Sequence, residues 1–155
     1  MKTYVIGHLK PDTDSVVAAL ALAEFYRHTP SFNRPNAEAV IAEPINNETA
    51  FLLNKFAVAS PKIITDKDIQ PEDQIVLVDH NEVSQAVEGL EECEIMEIID
   101  HHRIGSVETV SPVYFRNQPV GCTGTIVAQM YREQGIEITK EMAGLMCSAI
   151  LSDTL

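Results

Sequence analysis

The chain has 155 residues, 45% of them hydrophobic, and carries 11 Lys and Arg against 23 Asp and Glu, a net charge of −12. That is one domain's worth of sequence with enough apolar content for a real core, and the acidic balance argues against a nucleic-acid surface, which needs clustered cations. No stretch approaches the roughly 20 apolar residues of a membrane span, and Cys93, Cys122 and Cys147 lack any C-x-x-C spacing, so a soluble cytoplasmic protein with free thiols is expected.

The N-terminal "MKTYVIG" reads as a first strand over 3–7 rather than a signal, because its apolar run is short and no small-residue cleavage site follows. "DSVVAALALAEFYRH" (14–28) predicts a helix that is apolar or small nearly all round, hence buried, with Asp14 or Ser15 near its N-cap. A strand over 37–42 and a helix over 46–56 with an asparagine start follow, then a weak short strand at 62–65. "DQIVLVDH" (73–80) and "EIMEIIDH" (94–101) are the clearest strands. Between them Val83, Ala86, Val87 and Leu90 stand at helical spacing. "VSPVYFR" (110–116) contains Pro112, which suits an edge strand. "VGCTGTI" lacks the full spacing and lysine of a P-loop and reads as a closely packed start to a helix over 123–135, stopped by Gly135. A last helix over 139–155 is still running when the sequence stops, which is expected of the front part of a longer protein. Alternating strands and helices predict an α/β fold, a doubly wound and mostly parallel sheet with helices on both faces.

In such sheets ligands bind beyond the carboxyl ends of the strands. Strand 1 runs into His8, Asp12 and Asp14; the 73–80 strand ends in Asp79 and His80; the 94–101 strand ends in Asp100, His101 and His102. Asp153, late in the last helix, is a further candidate. Taken singly each has an ordinary reading, as a helix start, a turn or a surface histidine. Together they predict one crowded cleft. Packed carboxylates repel unless cations neutralise them, and mixed imidazole and carboxylate ligands suit Mn, Co, Fe or Zn, whereas Ca or Mg alone prefer oxygen. Four acids with two or more imidazoles exceed the needs of one ion. A two-metal centre for phosphate-ester or phosphoanhydride hydrolysis follows.

"GHLKPDTDS", "VDHNE", "DHHRIG" and "SAILSDTL", in this order, resemble family II inorganic pyrophosphatases, the manganese- or cobalt-dependent class of the DHH phosphoesterase superfamily. The resemblance runs from the first strand to residue 155 and covers only that family's N-terminal metal-binding DHH domain. It implies that His8 and Asp12 hold one metal, Asp14, His101 and Asp153 the other, and that Asp79 bridges both. Asp79 and His102 are then the candidate catalytic residues, with His102 beside the substrate and assisting the leaving phosphate. Asp100 is placed by its chemistry behind an imidazole, orienting it through the other ring nitrogen. His80 and Asn81 are expected to shape the turn rather than bind metal. The implied reaction splits pyrophosphate into two phosphates with two Mn²⁺ (or Co²⁺) ions and additional Mg²⁺ accompanying the substrate. A homodimer through this domain is implied as well, which the edge strand would form by sheet extension.

Two departures from that pattern stand out. Lys10 occupies a position where the family often has asparagine, and is read as facing solvent. More consequentially, Lys10 and Arg103 are the chief basic residues near the cleft, with Arg103 a weak substrate contact. Hydrolysis of so dense an anion needs electrostatic clamps. In the family a C-terminal domain with a Ser-Arg-Lys-Lys motif supplies them, and that domain is absent from this chain. The chain is therefore expected to bind metal and to be poorly active alone. Two alternatives remain: another DHH hydrolase acting on oligonucleotides, cyclic dinucleotides or polyphosphate, or a non-catalytic metal-binding or dimerisation module.

Overall fold

The computed structural model describes residues 1–155, the side chain of Glu91 excepted. Its strands are β1 (Thr3–Ile6), β2 (Ala37–Ile41), β3 (Lys62–Ile63), β4 (Gln74–Val78), β5 (Glu94–Asp100) and β6 (Tyr114–Asn117), and its α-helices α1 (Thr13–Arg27), α2 (Asn47–Lys55), α3 (Thr123–Glu133) and α4 (Lys140–Thr154). The strands form one sheet in the order β3-β2-β1-β4-β5-β6, and every pairing is parallel. The order reverses between β1 and β4, so the chain leaves the sheet in opposite directions there and opens a crevice beyond their carboxyl ends. All the acids and histidines singled out above follow β1 or β4, end or follow β5, or lie on α4.

One face of the sheet carries the α-helices. Val5, Val76, Val78 and Ile99 pack against α1, α3 and α4 in a single core that includes Phe25, Tyr26, Ile126, Met130, Tyr131 and Leu145. The all-round apolar pattern of α1 follows from this position: it touches β1 and β2 beneath it and α3 and α4 beside it. The opposite face, with Tyr4, Ile6, Val40, Ile75, Leu77 and Ile98, is covered by Ile64, Ile69, Val87 and Leu90. The helical elements there are short 3₁₀ turns at Asp66–Asp68, Val83–Gln85 and Leu90–Glu92.

Helical spacing over 81–92 thus becomes two single turns rather than one α-helix. Gly89 takes a left-handed φ of 87° between them, which ends any continuous ladder. Val87 and Leu90 are buried while Val83 is 60% exposed, so the apparent apolar stripe does not share one face. The edge strand also begins later than the sequence suggests. It starts at Tyr114, two residues past Pro112, whose missing N–H suits the approach to the ladder.

A buried polar triad ties α1 to β5. Glu97, in the strand, accepts from the Tyr26 hydroxyl at 2.5 Å and from Arg34 Nη1 at 2.5 Å, and the Arg34 guanidinium lies 5.0 Å from the Tyr26 ring centroid. Burial pushes the Glu97 carboxyl up and the Tyr26 hydroxyl well up. Removing one partner of such a pair strands the other charge. Arg34→Met is expected to cost about 3–5 kcal/mol in urea unfolding, and the double change Arg34→Met with Glu97→Leu much less. Equal losses in both would contradict this.

Candidate metal centre

The crevice is built from loop and helix starts that the sheet brings together. Asp12 caps α1, its Oδ1 accepting from Ser15 N at 2.9 Å. That moves the helix start to Thr13, ahead of the Asp14 or Ser15 cap read from the sequence. The other oxygen, Oδ2, pairs with His8, 3.6 Å from its Nε2. Asp79 follows β4 with φ 62°, a left-handed conformation that Asp tolerates better than most residues. The turn places its carboxylate between two imidazoles: Oδ2 lies 3.3 Å from His8 Nε2 and Oδ1 3.3 Å from His101 Nε2. His101 Nε2 is also 3.9 Å from Asp14 and 3.8 Å from Asp153.

The rings are oriented from behind. His8 Nδ1 donates to Leu9 O at 2.7 Å and His101 Nδ1 to Val120 O at 2.8 Å. A carbonyl only accepts, so Nδ1 holds the proton and Nε2 points into the site, the usual support for a metal-ligating histidine. His101 Nε2 is buried without an aligned hydrogen-bond partner, which is costly unless something else binds it. His102 differs. Its Nδ1 lies 2.8 Å from Asp100 Oδ1, an oxygen that also accepts from the backbone N–H of His101 and His102. The His102 side chain is half exposed, and Nε2 is its free nitrogen.

Electrostatics in the metal-free site follow from this crowding. Burial works against a charged His8, yet hydrogen bonds to Asp12 and Asp79 push its pKa up to about 11. The Asp79 carboxylate raises His101 to about 9. Burial, with the Asp79 charge, raises Asp14 to about 8. Asp79 itself is held well below the usual carboxylate range: burial opposes this, and the two histidines outweigh it. Asp153 is raised by burial and by the charges of Asp12 and Asp79. A site that binds protons this avidly is short of cations.

Three groups of potential ligand atoms lie within 4.8 Å of one another: His8, Asp12 and Asp79; Asp79, His101 and His102; Asp14, Cys122 and Asp153. Asp79 belongs to two of them. The donor set and the orphaned His101 nitrogen fit divalent cations of the manganese type. His102 Nδ1 is 3.8 Å from Asp79 but is engaged by Asp100. Arg103 is held outside the cluster, its exposed side chain 3.0 Å from Glu82. His80 and Asn81 lie in none of these groups: His80 Nδ1 donates to Val78 O, and Asn81 links the two turns, donating to Asp100 and to Arg103 O and accepting from Gly105 N.

Several supporting residues were not read from the sequence. The start of α3 grips two of the acids. Thr123 N donates to Asp14 Oδ2 at 2.7 Å, and Gly124 N and the Cys122 thiol reach Asp14 Oδ1 at 2.9 and 2.8 Å. Thr123 Oγ1 donates to Asp79 Oδ1 at 3.0 Å. Exposed donors and the positive end of the dipole make a helix start suited to a carboxylate. A side chain at Gly124 would press on Asp14 Oδ1, 3.3 Å from where its Cβ would stand. The close packing expected of "VGCTGTI" is this contact.

Comparison with known proteins agrees with the geometry. A manganese-dependent inorganic pyrophosphatase of Methanothrix thermoacetophila is 47% identical over 152 residues, covering 98% of this chain and 47% of that protein. A probable manganese-dependent inorganic pyrophosphatase of Exiguobacterium sp. is 46% identical, covering 97% of this chain and 47% of that protein. The chain thus spans about half the length of the curated relatives it matches. The crystal structure of a Methanococcus jannaschii putative family II inorganic pyrophosphatase superposes with a TM-score of 0.84 at 38% identity, over 98% of this chain and 48% of that one. An exopolyphosphatase-related protein from Bacteroides fragilis, at 19% identity and a TM-score of 0.72, shares the fold. The family described as DHH family, N-terminal domain, matches residues 2–150, and the chain belongs to it.

Proposed function

We propose that this chain is the metal-binding half of a manganese-dependent inorganic pyrophosphatase, an enzyme that hydrolyses pyrophosphate to two phosphates. The observation that carries the reading is the Asp79 carboxylate held 3.3 Å from both His8 and His101, at one strand-end crevice shared with Asp12, Asp14 and Asp153. The names of the relatives at 46–47% identity supply the substrate.

His8 Nε2 and Asp12 Oδ2 would hold one ion, and Asp14, His101 Nε2 and Asp153 the other, with Asp79 shared. Two such ions, Mn²⁺ or Co²⁺, supply charge neutralisation and lower the pKa of a bound water, while Mg²⁺ accompanies the substrate. Asp100 fixes the His102 ring through Nδ1, leaving Nε2 to face the departing phosphate and, in the imidazolium form, to donate its proton there. Thr123 and the α3 amides hold Asp79 and Asp14 in place, which spares the site reorganisation when charge develops. Arg103 is left as a weak contact to substrate.

Cationic clamps for two phosphates are sparse around this crevice, and we assign them to a substrate-binding domain in the other half of the longer protein. The isolated chain is then expected to bind Mn²⁺ but to turn over pyrophosphate slowly. The test is a pair of variants in the full-length protein. His101→Ala should weaken binding of one Mn²⁺, whereas His102→Ala should leave metal affinity nearly intact and slow turnover by about 10²–10⁴-fold, the usual contribution of a positioned acid or base. Equal metal loss in both would overturn the division of roles. Phosphate release from a dinucleotide and none from pyrophosphate would overturn the substrate.

The β6 edge gives the proposed homodimer its route. Tyr114 is half exposed on that strand and the paired side is taken by β5, so the outer ladder is open to a second copy. Light scattering at micromolar concentration is expected to give twice the chain mass; a single-chain mass would contradict it.

A further inference from the structure

Asp153 reaches the site from an unpromising place. It lies in the last turn of α4, which runs to Thr154 and has no basic residue in that turn. This turn is joined to another helix through Ser152, whose Oγ donates to Glu48 Oε1 at 2.6 Å. The other side-chain bond there, Thr154 Oγ1 to Ile150 O, stays within the helix.

Glu48 belongs to the first turn of α2, and the same Oε1 accepts from Thr13 Oγ1 at 2.5 Å. Thr13 is itself buried and contacts Thr49 Oγ1 at 3.1 Å. Thr13 stands between Asp12 and Asp14 in the chain, and Ser152 directly precedes Asp153. One carboxylate oxygen therefore joins the two segments that deliver three of the candidate ligands. Both hydroxyl bonds favour the ionised carboxyl, which is held below its usual range even though Asp12 opposes this. A further negative charge beside an acidic cluster is electrostatically unfavourable, and the two hydroxyl donors offset that cost here.

We propose that Glu48 is a positioning residue that fixes the end of α4 against the start of α1, setting Asp153 in place beside Asp14 and His101. This rests on the metal-site reading above. Glu48 touches neither substrate nor ion in that role; it acts through Ser152 and Thr13.

Calorimetric Mn²⁺ titration of the wild-type chain, Glu48→Ala, Glu48→Gln, Ser152→Ala and the Glu48→Ala/Ser152→Ala double variant tests it, with metal-free melting temperatures alongside. Glu48→Ala should weaken one of two Mn²⁺ sites by about 10–100-fold, the usual effect of losing a supporting partner, and leave the other unchanged. Ser152→Ala should reproduce that loss, the double variant should add little to it, and Glu48→Gln, which keeps an acceptor for both hydroxyls, should recover most of the affinity. A lowered melting temperature with unchanged Mn²⁺ affinity, or equal loss at both sites, overturns the positioning role alone. Failure of the wild-type chain to bind Mn²⁺ overturns the metal-site reading and this inference with it.

Discussion

Asp79→Asn is expected to abolish high-affinity binding of both Mn²⁺ ions, by more than the roughly 100-fold that an outer-shell change costs. The substitution is a clean one. Asn tolerates the left-handed φ of 62° at this turn about as well as Asp does, and its amide oxygen can still accept from Thr123 Oγ1, now 3.0 Å from Oδ1. What changes is one charge placed between His8 and His101. Hydrogen bonding to that carboxylate, reinforced by its charge, is the leading reason the His101 pKa stands near 9, so in the metal-free variant it should fall back toward the ordinary histidine value. Calorimetry reads the first effect and NMR titration of the imidazole the second. Retention of two ions at wild-type affinity would remove Asp79 from the shared position. Asp79→Ala would be a poorer probe, since the positive φ itself disfavours alanine.

The strand-end acids were legible because the two signals that reveal them are local. An uninterrupted run such as "QIVLV" or "EII" marks a buried strand, and the polar residue that follows is placed by the strand's end. Parallel pairing then does the rest: β1 neighbours β4 and β4 neighbours β5, so His8, Asp79 and His101 meet without any further information. Asp12, Asp14 and Asp153 ride on helix ends packed over the same crevice.

What supports those residues was not legible, because it depends on returns of the chain over long distances. The donors on Asp14 come from Cys122, Thr123 and Gly124, more than a hundred residues away. Cys122 is not a residue that announces a helix start, so "VGCTGTI" gave a packing signal and no hint of which carboxylate it served. Glu97 is a second case. In "EIMEIID" an acid reads as exposed, yet the partners Tyr26 and Arg34 keep it inside. The 81–92 segment failed for a different reason: helical spacing is necessary for an amphipathic helix but also arises by chance over so short a run, and one left-handed glycine was enough to break it.

Protons and metal ions compete for the same atoms, and this gives the strongest expected pH dependence. At pH 7 the metal-free site holds protons on His8, whose pKa is about 11, on His101, about 9, and on Asp14, about 8. Each must leave before its nitrogen or oxygen can bind Mn²⁺. Affinity should therefore rise between pH 6 and 8 by about tenfold per pH unit for each proton displaced, since one pKa unit is a tenfold change in competition. Calorimetry in buffers of different ionisation enthalpy counts the protons released. Stability of the metal-free chain carries the complementary sign. Raised pKa values on His8 and His101 give stabilisation fully present below the unfolded histidine value of about 6.5 and lost as pH climbs through about 9 and then about 11. Asp14 behaves alike, its share disappearing by about pH 8. Asp79, held low, contributes in the opposite sense, and its share is lost only as pH falls into the acid range. Melting temperature without metal should thus decline from about pH 6.5 upward, where the unfolded histidines release protons that the folded chain still holds, and Mn²⁺ should suppress that decline, because the ions supply the positive charge that the departing protons leave behind. An affinity that is flat across this range, with no protons released on binding, would mean that the imidazoles and Asp14 are not the groups the metal meets.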